Sequence, residues 1–281
     1  GKEVHDKIAE LRKQGMTDLI LDLSMNGGGY LNAAQEVASE FLPKGASVVY
    51  TDGRVMPRQD LLAEGGGLMQ KEGRIVILVD EFTASAAEIV SGAIQDNDRG
   101  TIIGRRTFGK GLVQRPIDLP DGSMIRLTVS HYYTPSGRCI QKPYTKGQKE
   151  EYDQDLEKRY TRGELTSIDS IHLDSTKVFK TLQKGRTVYG GGGIMPDIFV
   201  PLDTTTYSPY YRALRRYNLI NDYTLRYVDE HRKELKRKYK KFDNYVQYFI
   251  VPTSLTDSII AEGKRKKLEP KDDKELQATL E

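Results

Sequence analysis

The chain is short of the residues that many enzyme classes depend on. It has one cysteine, four histidines and no apolar run near the ~20 residues of a membrane span. With only Cys139, an internal disulfide is excluded, and a lone thiol beside Arg138 reads as buried or incidental. The histidines are His5, His131, His172 and His231, and none stands in an H-E-x-x-H or carboxylate–histidine spacing. No metal and no cofactor is therefore expected. Strong charge of one sign is also missing: 43 Lys and Arg stand against 40 Asp and Glu, a net charge of +3. Such a balance points to neither nucleic acid nor a membrane surface. The basic run from Glu230 to Lys241 reads as a solvated helix rather than a nucleic-acid face.

What the chain does have is a strand that turns into a helix on small residues. Ile75 to Val79 is a buried-strand pattern, and Asp80-Glu81-Phe82-Thr83-Ala84-Ser85-Ala86-Ala87-Glu88 leads into apolar positions at helical spacing, Ile89, Val90, Ala93 and Ile94. Ser85 then lies at a helix mouth, where free N–H groups and the helix dipole can hold an oxyanion. Ser85 to Glu88 also matches a capping box, the commoner meaning of that spacing. A serine needs a base to become a nucleophile, and the first candidate is Lys110. Lysine is a base only when neutral, which desolvation favours and a partner carboxylate opposes. Phe108, Gly109 and Gly111 around it suit a dry pocket, and Gln114 is placed to orient the amine by a hydrogen bond. A Ser–His–Asp site is disfavoured, because only His131 falls in a core strand, where packing is the ordinary role.

Two nucleotide readings fail on detail. Asn26-Gly27-Gly28-Gly29 follows the strand pattern Leu19–Leu23 but lacks the spaced G-x-G-x-x-G and the later acidic residue. Gly104-x4-Gly109-Lys110 nearly spells a Walker A loop, yet Gly111 replaces the Ser/Thr and a strand pattern follows where a helix is needed.

Three blocks together resemble the carboxyl-terminal processing (tail-specific) protease family: Asp80 to Glu88, Gly104 to Gln114, and Tyr132-Tyr133-Thr134-Pro135-Ser136-Gly137-Arg138. The resemblance covers residues 10 to 145 closely. It implies a serine endopeptidase that cleaves protein substrates near their C-termini, with Ser85 as nucleophile, Lys110 as general base and Gln114 orienting Lys110. The N–H groups of Ala86 and Gly28 would bind the oxyanion. It also implies an α/β fold of the crotonase and Clp-protease spiral type, built of strand-strand-helix units, an extracytoplasmic location such as a bacterial periplasm, and possible homo-oligomers. The sequence departs from the family at Ser24 and Met25, where an Arg-Gly pair is usual, and shows no PDZ-type module. Both departures favour the other reading, a non-enzymatic peptide-binding or scaffold relative. Gly1-Lys2-Glu3-Val4 reads as the middle of something longer, without a signal-peptide pattern.

The expected organisation is a protease core over residues 1 to 203 and a helical C-terminal region over 204 to 281. Within the core, residues 52 to 73 read as an exposed polar connection. A hairpin, Leu112–Leu119 and Ser123–Tyr133, turns on Pro120-Asp121-Gly122. Residues 141 to 186 read as a charged, irregular excursion, and the Gly-x-x-Pro-Asp block ending at Asp197 closes the core.

Overall fold

The computed structural model describes residues 1–145, 147–204 and 207–280. Lys146, Thr205, Thr206 and Glu281, which fall in the expected excursion and helical region, lie outside the described residues. The chain divides into two compact units, Gly1–Leu202 and Asp203–Glu281.

The first unit is mixed α/β. It begins α1 (Lys2–Lys13), β1 (Leu19–Asp22), α2 (Leu31–Ser39), β2 (Ser47–Asp52), β3 (Gln59–Leu62), β4 (Ile75–Val79), α3 (Ala86–Asp96) and β5 (Thr101–Gly104). The hairpin β6 (Leu112–Asp118) and β7 (Met124–Tyr133) follows, then α4 (Lys149–Asp153), α5 (Asp155–Thr161), β8 (Val178–Lys180), β9 (Thr187–Tyr189) and β10 (Ile198–Phe199). A parallel sheet runs in the order β1-β4-β5-β10, and an antiparallel sheet in the order β3-β2-β7-β6. Strand β4 alternates buried and half-buried residues at the centre of the parallel sheet, as a strand covered on both faces should.

Helix α3 is the centre of this unit, since every residue from Ala86 to Asp96 is buried. Its apolar residues Ile89, Val90, Ala93 and Ile94 join the core formed by Ile75, Ile77, Val79, Ile102, Phe41 and Val49. Total burial obliges each polar residue on it to find a partner. Ser91 Oγ donates to the Ala87 carbonyl (3.0 Å). The Gln95 carboxamide donates to Asp197 Oδ1 (3.0 Å), while Asp197 Oδ2 accepts from the Ile102 N–H (2.8 Å), so the Pro196-Asp197 block ties α3 to β5. Asp96 forms an ion pair with Arg138 and accepts from the Ser136 N–H (2.9 Å).

Two expectations about loops need correction. Residues 52 to 73 are not merely an exposed connection: they include β3, which pairs with β2, and they bury Ala63 and Met69. Residues 141 to 186 are not irregular either. They contain α4, α5 and β8, which pairs with β9 just beyond them, and they bury Lys142, Arg159, Glu164 and Leu165 against the rest of the unit. Charge-rich composition hid this order, because the buried charges are satisfied by partners distant in sequence.

The second unit is helical: α6 (Pro209–Arg216), α7 (Leu219–Lys238), α8 (Phe242–Tyr248), α9 (Thr253–Arg265) and α10 (Asp273–Leu280). Its small core comprises Tyr210, Leu214, Leu219, Leu255 and Ile259. Pro252 ends one helical pattern and stands as the residue before α9.

Candidate active site

Ser85 occupies the junction between β4 and α3 in a backbone conformation, φ 56° and ψ −118°, that non-glycine residues rarely adopt. Holding a serine there costs about 1–3 kcal/mol, so its surroundings must over-determine it. They do so from three directions. The Ser85 N–H donates to Glu88 Oε2 (2.8 Å), the Ala84 N–H donates to the Asn26 carbonyl (2.9 Å), and the Phe108 N–H donates to the Thr83 carbonyl (2.9 Å). The serine turn, the glycine turn and the lysine loop are thus laced together.

Glu88 is the centre of that lacing. It is fully buried, and its carboxylate accepts four bonds. Oε2 takes the N–H groups of Ser85 and Lys110, each at 2.8 Å, while Oε1 takes the Gly109 N–H (2.7 Å) and the Thr107 hydroxyl (2.5 Å). One oxygen therefore fixes the backbones of the candidate nucleophile and the candidate base within twice that distance of each other. Burial pushes the Glu88 carboxyl above its ordinary value, and the four donors pull against that rise. The capping and catalytic readings of Ser85-Ala86-Ala87-Glu88 do not compete, since the glutamate that reaches back to the cap residue also reaches across to the lysine loop.

The remaining site residues are placed less simply. The Ala86 N–H, first in α3, has no hydrogen-bond partner among the described residues. Gly28 lies against the same turn: a Cβ added to it would sit 2.5 Å from the Ala84 carbonyl oxygen and 2.7 Å from the Ala86 nitrogen, at φ +90°. Only glycine fits that approach. The Gly28 N–H, however, donates to Asn26 Oδ1 (2.9 Å), so it is not the free donor expected. Lys110 is exposed rather than enclosed in a dry pocket. It stands just before β6, at the root of a hairpin whose residues are mostly exposed. Gln114 is also exposed, opposite Thr128 where β7 bulges at Val129, and among the described residues neither its carboxamide nor the Lys110 amine makes a hydrogen bond.

Glu88 and Thr107 are site residues whose importance sequence reasoning missed. A glutamate embedded in Ala86, Ala87, Ile89 and Val90 was the available signal. Thr107 carried none, because its hydroxyl bridges Glu88 Oε1 to the Ile194 N–H (2.6 Å), a partner 87 positions on. Among the described residues no group of His, Cys, Asp and Glu could hold a metal ion.

The model of peptidase family S41 matches residues 1–150, more than half of the chain. The chain belongs to peptidase family S41. As an S41 chain it is 42% identical over 133 residues to the chloroplastic C-terminal processing peptidase of Tetradesmus obliquus, covering 47% of this chain and 28% of that protein. It is likewise 42% identical over 141 residues to the carboxyl-terminal-processing protease of Synechocystis sp., covering 50% and 32% respectively. The chain thus spans about a third of the length of these curated relatives. Among solved structures, the photosystem II D1 C-terminal processing protease is 30% identical with a TM-score of 0.49, covering 71% of this chain and 38% of that one. A second model, of a family of unknown function (DUF8443), matches residues 210–281.

Two predictions arise from this site. Glu88→Gln turns an amide NH₂ toward backbone N–H donors and forfeits two of four bonds. It is expected to destabilise the chain by about 2–4 kcal/mol in urea unfolding. A loss under about 0.5 kcal/mol, the range of ordinary surface changes, would show that the carboxylate does not lace the site. The second concerns Glu164, which holds Arg106 and Arg159. Burial pushes its carboxyl up, but the bonds and charges of the two arginines outweigh this and leave it below the ordinary 4.5. A carboxyl lowered on folding contributes stability that is present above its unfolded value and lost as pH falls through its folded value. The melting temperature should therefore drop on acidification below pH 4.5, and less steeply in Glu164→Gln. Equal slopes for both proteins would refute the assignment.

Proposed function

We propose that this S41 chain is the core of a serine endopeptidase acting on protein substrates near their C-termini. Ser85 attacks the peptide carbonyl, and Lys110 takes its proton and delivers it to the leaving amine, so that an acyl-serine and a free N-terminus form. A water then attacks the ester and gives its proton to Lys110, which passes it to Ser85 Oγ as the ester C–O bond breaks, releasing the new C-terminus and regenerating the free serine and the neutral amine. The Ala86 N–H, joined by the Gly28 N–H once freed from Asn26, stabilises the oxyanion in both steps, each donor being worth about 2.7–4 kcal/mol in such sites. Gln114 orients Lys110 when a bound substrate covers the hairpin root.

The observation that carries this reading is the single Glu88 oxygen bonded to the backbones of both Ser85 and Lys110. A glutamate buried on an apolar helix for capping alone has no reason to reach the lysine loop as well. Following the family resemblance of the sequence blocks, the site of action is extracytoplasmic, with the 1–203 core carrying the chemistry and the 204–281 region serving docking or self-association. Among the described residues no helix is long and apolar enough to cross a membrane.

The exposure of Lys110 favours a second reading, a non-enzymatic relative that binds peptides. A fluorophosphonate probe separates the two. On the enzymatic reading it labels Ser85, located by peptide mass, and labelling is lost in Lys110→Ala. Absence of labelling at Ser85 in the wild type would leave the binding reading standing.

A further inference from the structure

The lysine loop, residues 106 to 111, contains two glycines and follows a short strand, so its chain would be free to move unless its backbone groups were held. They are held on both sides. Its N–H groups go to fixed acceptors: Thr107 to the Ile194 carbonyl (3.1 Å), Phe108 to the Thr83 carbonyl (2.9 Å), Gly109 and Lys110 to Glu88, and Gly111 to Gln141 Oε1 (3.0 Å). Three of its carbonyls, those of Arg106, Thr107 and Gly109, are held by the segment after residue 140. Arg159 on α5 donates through Nη2 to the Arg106 carbonyl (2.5 Å) and through Nη1 to the Thr107 carbonyl (3.1 Å), and the Lys142 N–H donates to the Gly109 carbonyl (2.9 Å).

Arg159 is only 2% exposed, and its third nitrogen is fixed too, with Nε on Glu164 Oε1 (2.9 Å). Glu164 is in turn gripped by Arg106 at 2.7 and 2.8 Å. The planar guanidinium is thereby locked in one orientation, and its two remaining donors face two successive carbonyls. A lysine could not reproduce that fork. Arg159 lies beyond residues 1–150, the span matched by the family.

We propose that Arg159 is a positioning residue for Lys110: the helix α5 brings its guanidinium to the carbonyl side of the loop while Glu88 holds the amide side, and the base is aimed by this two-sided clamp. The proposal rests on the reading of Lys110 as the base. A charged excursion is, on this view, a working part of the site, and it explains how an exposed lysine on a glycine-flanked loop keeps its direction. A misplacement of about 1 Å at a reacting group costs on the order of 100-fold in rate.

The test uses the full chain with Arg159→Met, Arg159→Lys and Arg159→Ala, the last with and without added guanidinium. The labelling rate of Ser85 by the fluorophosphonate is followed against pH, and hydrogen exchange is followed across residues 106 to 111. Arg159→Met should label about 100-fold more slowly, with the pH midpoint of labelling displaced. Exchange at Gly109 and Lys110 should quicken at least tenfold while residues 19 to 29 stay as they were. Arg159→Lys should fall between, and guanidinium should restore part of the Arg159→Ala rate. A purely structural arginine would lower the melting temperature and the labelled fraction but leave the pH midpoint and loop exchange unchanged; that result overturns the proposal. Should Arg159→Met fail to fold, Arg159→Lys decides by the same two readouts. A wild type that never labels would instead sink the protease reading, and with it this one. It is told apart because the wild-type protein itself, not the variant, is silent.

Discussion

Ser85→Ala is expected to lower peptide hydrolysis by about 10⁴–10⁶-fold, the range seen when a serine nucleophile is removed and only binding and oxyanion donors remain. The fold should survive, because the bonds that shape the turn come from backbone groups and Glu88, not from the serine hydroxyl. Alanine keeps the strained conformation at φ 56°, so its stability should stay near that of the wild type. Ser85→Gly separates strain from chemistry. Glycine adopts this region without steric penalty, and the relief of about 1–3 kcal/mol exceeds the roughly 0.5–1 kcal/mol lost to glycine's greater freedom when unfolded. The glycine variant should be as inactive as the alanine one yet melt higher. Casein cleavage together with thermal unfolding checks both halves. Residual activity within tenfold of the wild type would remove Ser85 from the mechanism, whereas a lower melting point for Ser85→Gly would mean that the turn is not strained.

The second large effect is on stability. Arg138→Met should destabilise the first unit by about 3–5 kcal/mol, since it strips the partner from a buried carboxylate. Arg138 is 1% exposed and Asp96 is 0% exposed, and the guanidinium also donates to Gln95 Oε1 (3.0 Å) and the Tyr189 carbonyl (3.3 Å). Burial pushes the Arg138 guanidinium down, with Asp96 opposing, so the pair is held together at the expense of hydration. Its Nε has no partner among the described residues, which leaves the guanidinium less than fully satisfied there. Replacing both members, Asp96→Leu with Arg138→Met, should therefore recover much of the loss, because no charge is left stranded. Urea unfolding of the two single variants and the double one gives the coupling. Additive losses would show that the two side chains act independently.

These effects bear on how far residues alone could lead. The strand–turn–helix around Ser85 was legible because apolar periodicity, small residues and the cap pattern all agree there, and the hairpin was legible from alternation around Pro120-Asp121-Gly122. The blocks carrying Ser85 and Lys110 could be paired only through resemblance, since nothing local links positions 25 apart. Residues 141 to 186 were misjudged for a physical reason. Lys142, Arg159 and Glu164 look like solvated charges in a row, yet Lys142 lies over the rings of Phe108 and Tyr152 at 4.2 and 4.0 Å, and Arg159 and Glu164 complete a buried network with Arg106. Burial of a charge depends on partners, and partners are a property of the fold.

By itself the sequence determined the class of the fold, the helix mouth on which Ser85 sits, and the membership of the chain in a peptidase family, since local periodicity and motif chemistry reside in neighbouring residues. Tertiary structure alone decided that Glu88 joins the serine turn to the lysine loop, that Arg159 holds the loop from behind, that Gly28 is occupied by Asn26, and that Lys110 stands in the open. Each of these is a hydrogen bond or an exposure set by segments far apart along the chain, and no pattern of adjacent residues encodes which donor will meet which acceptor once the core has closed.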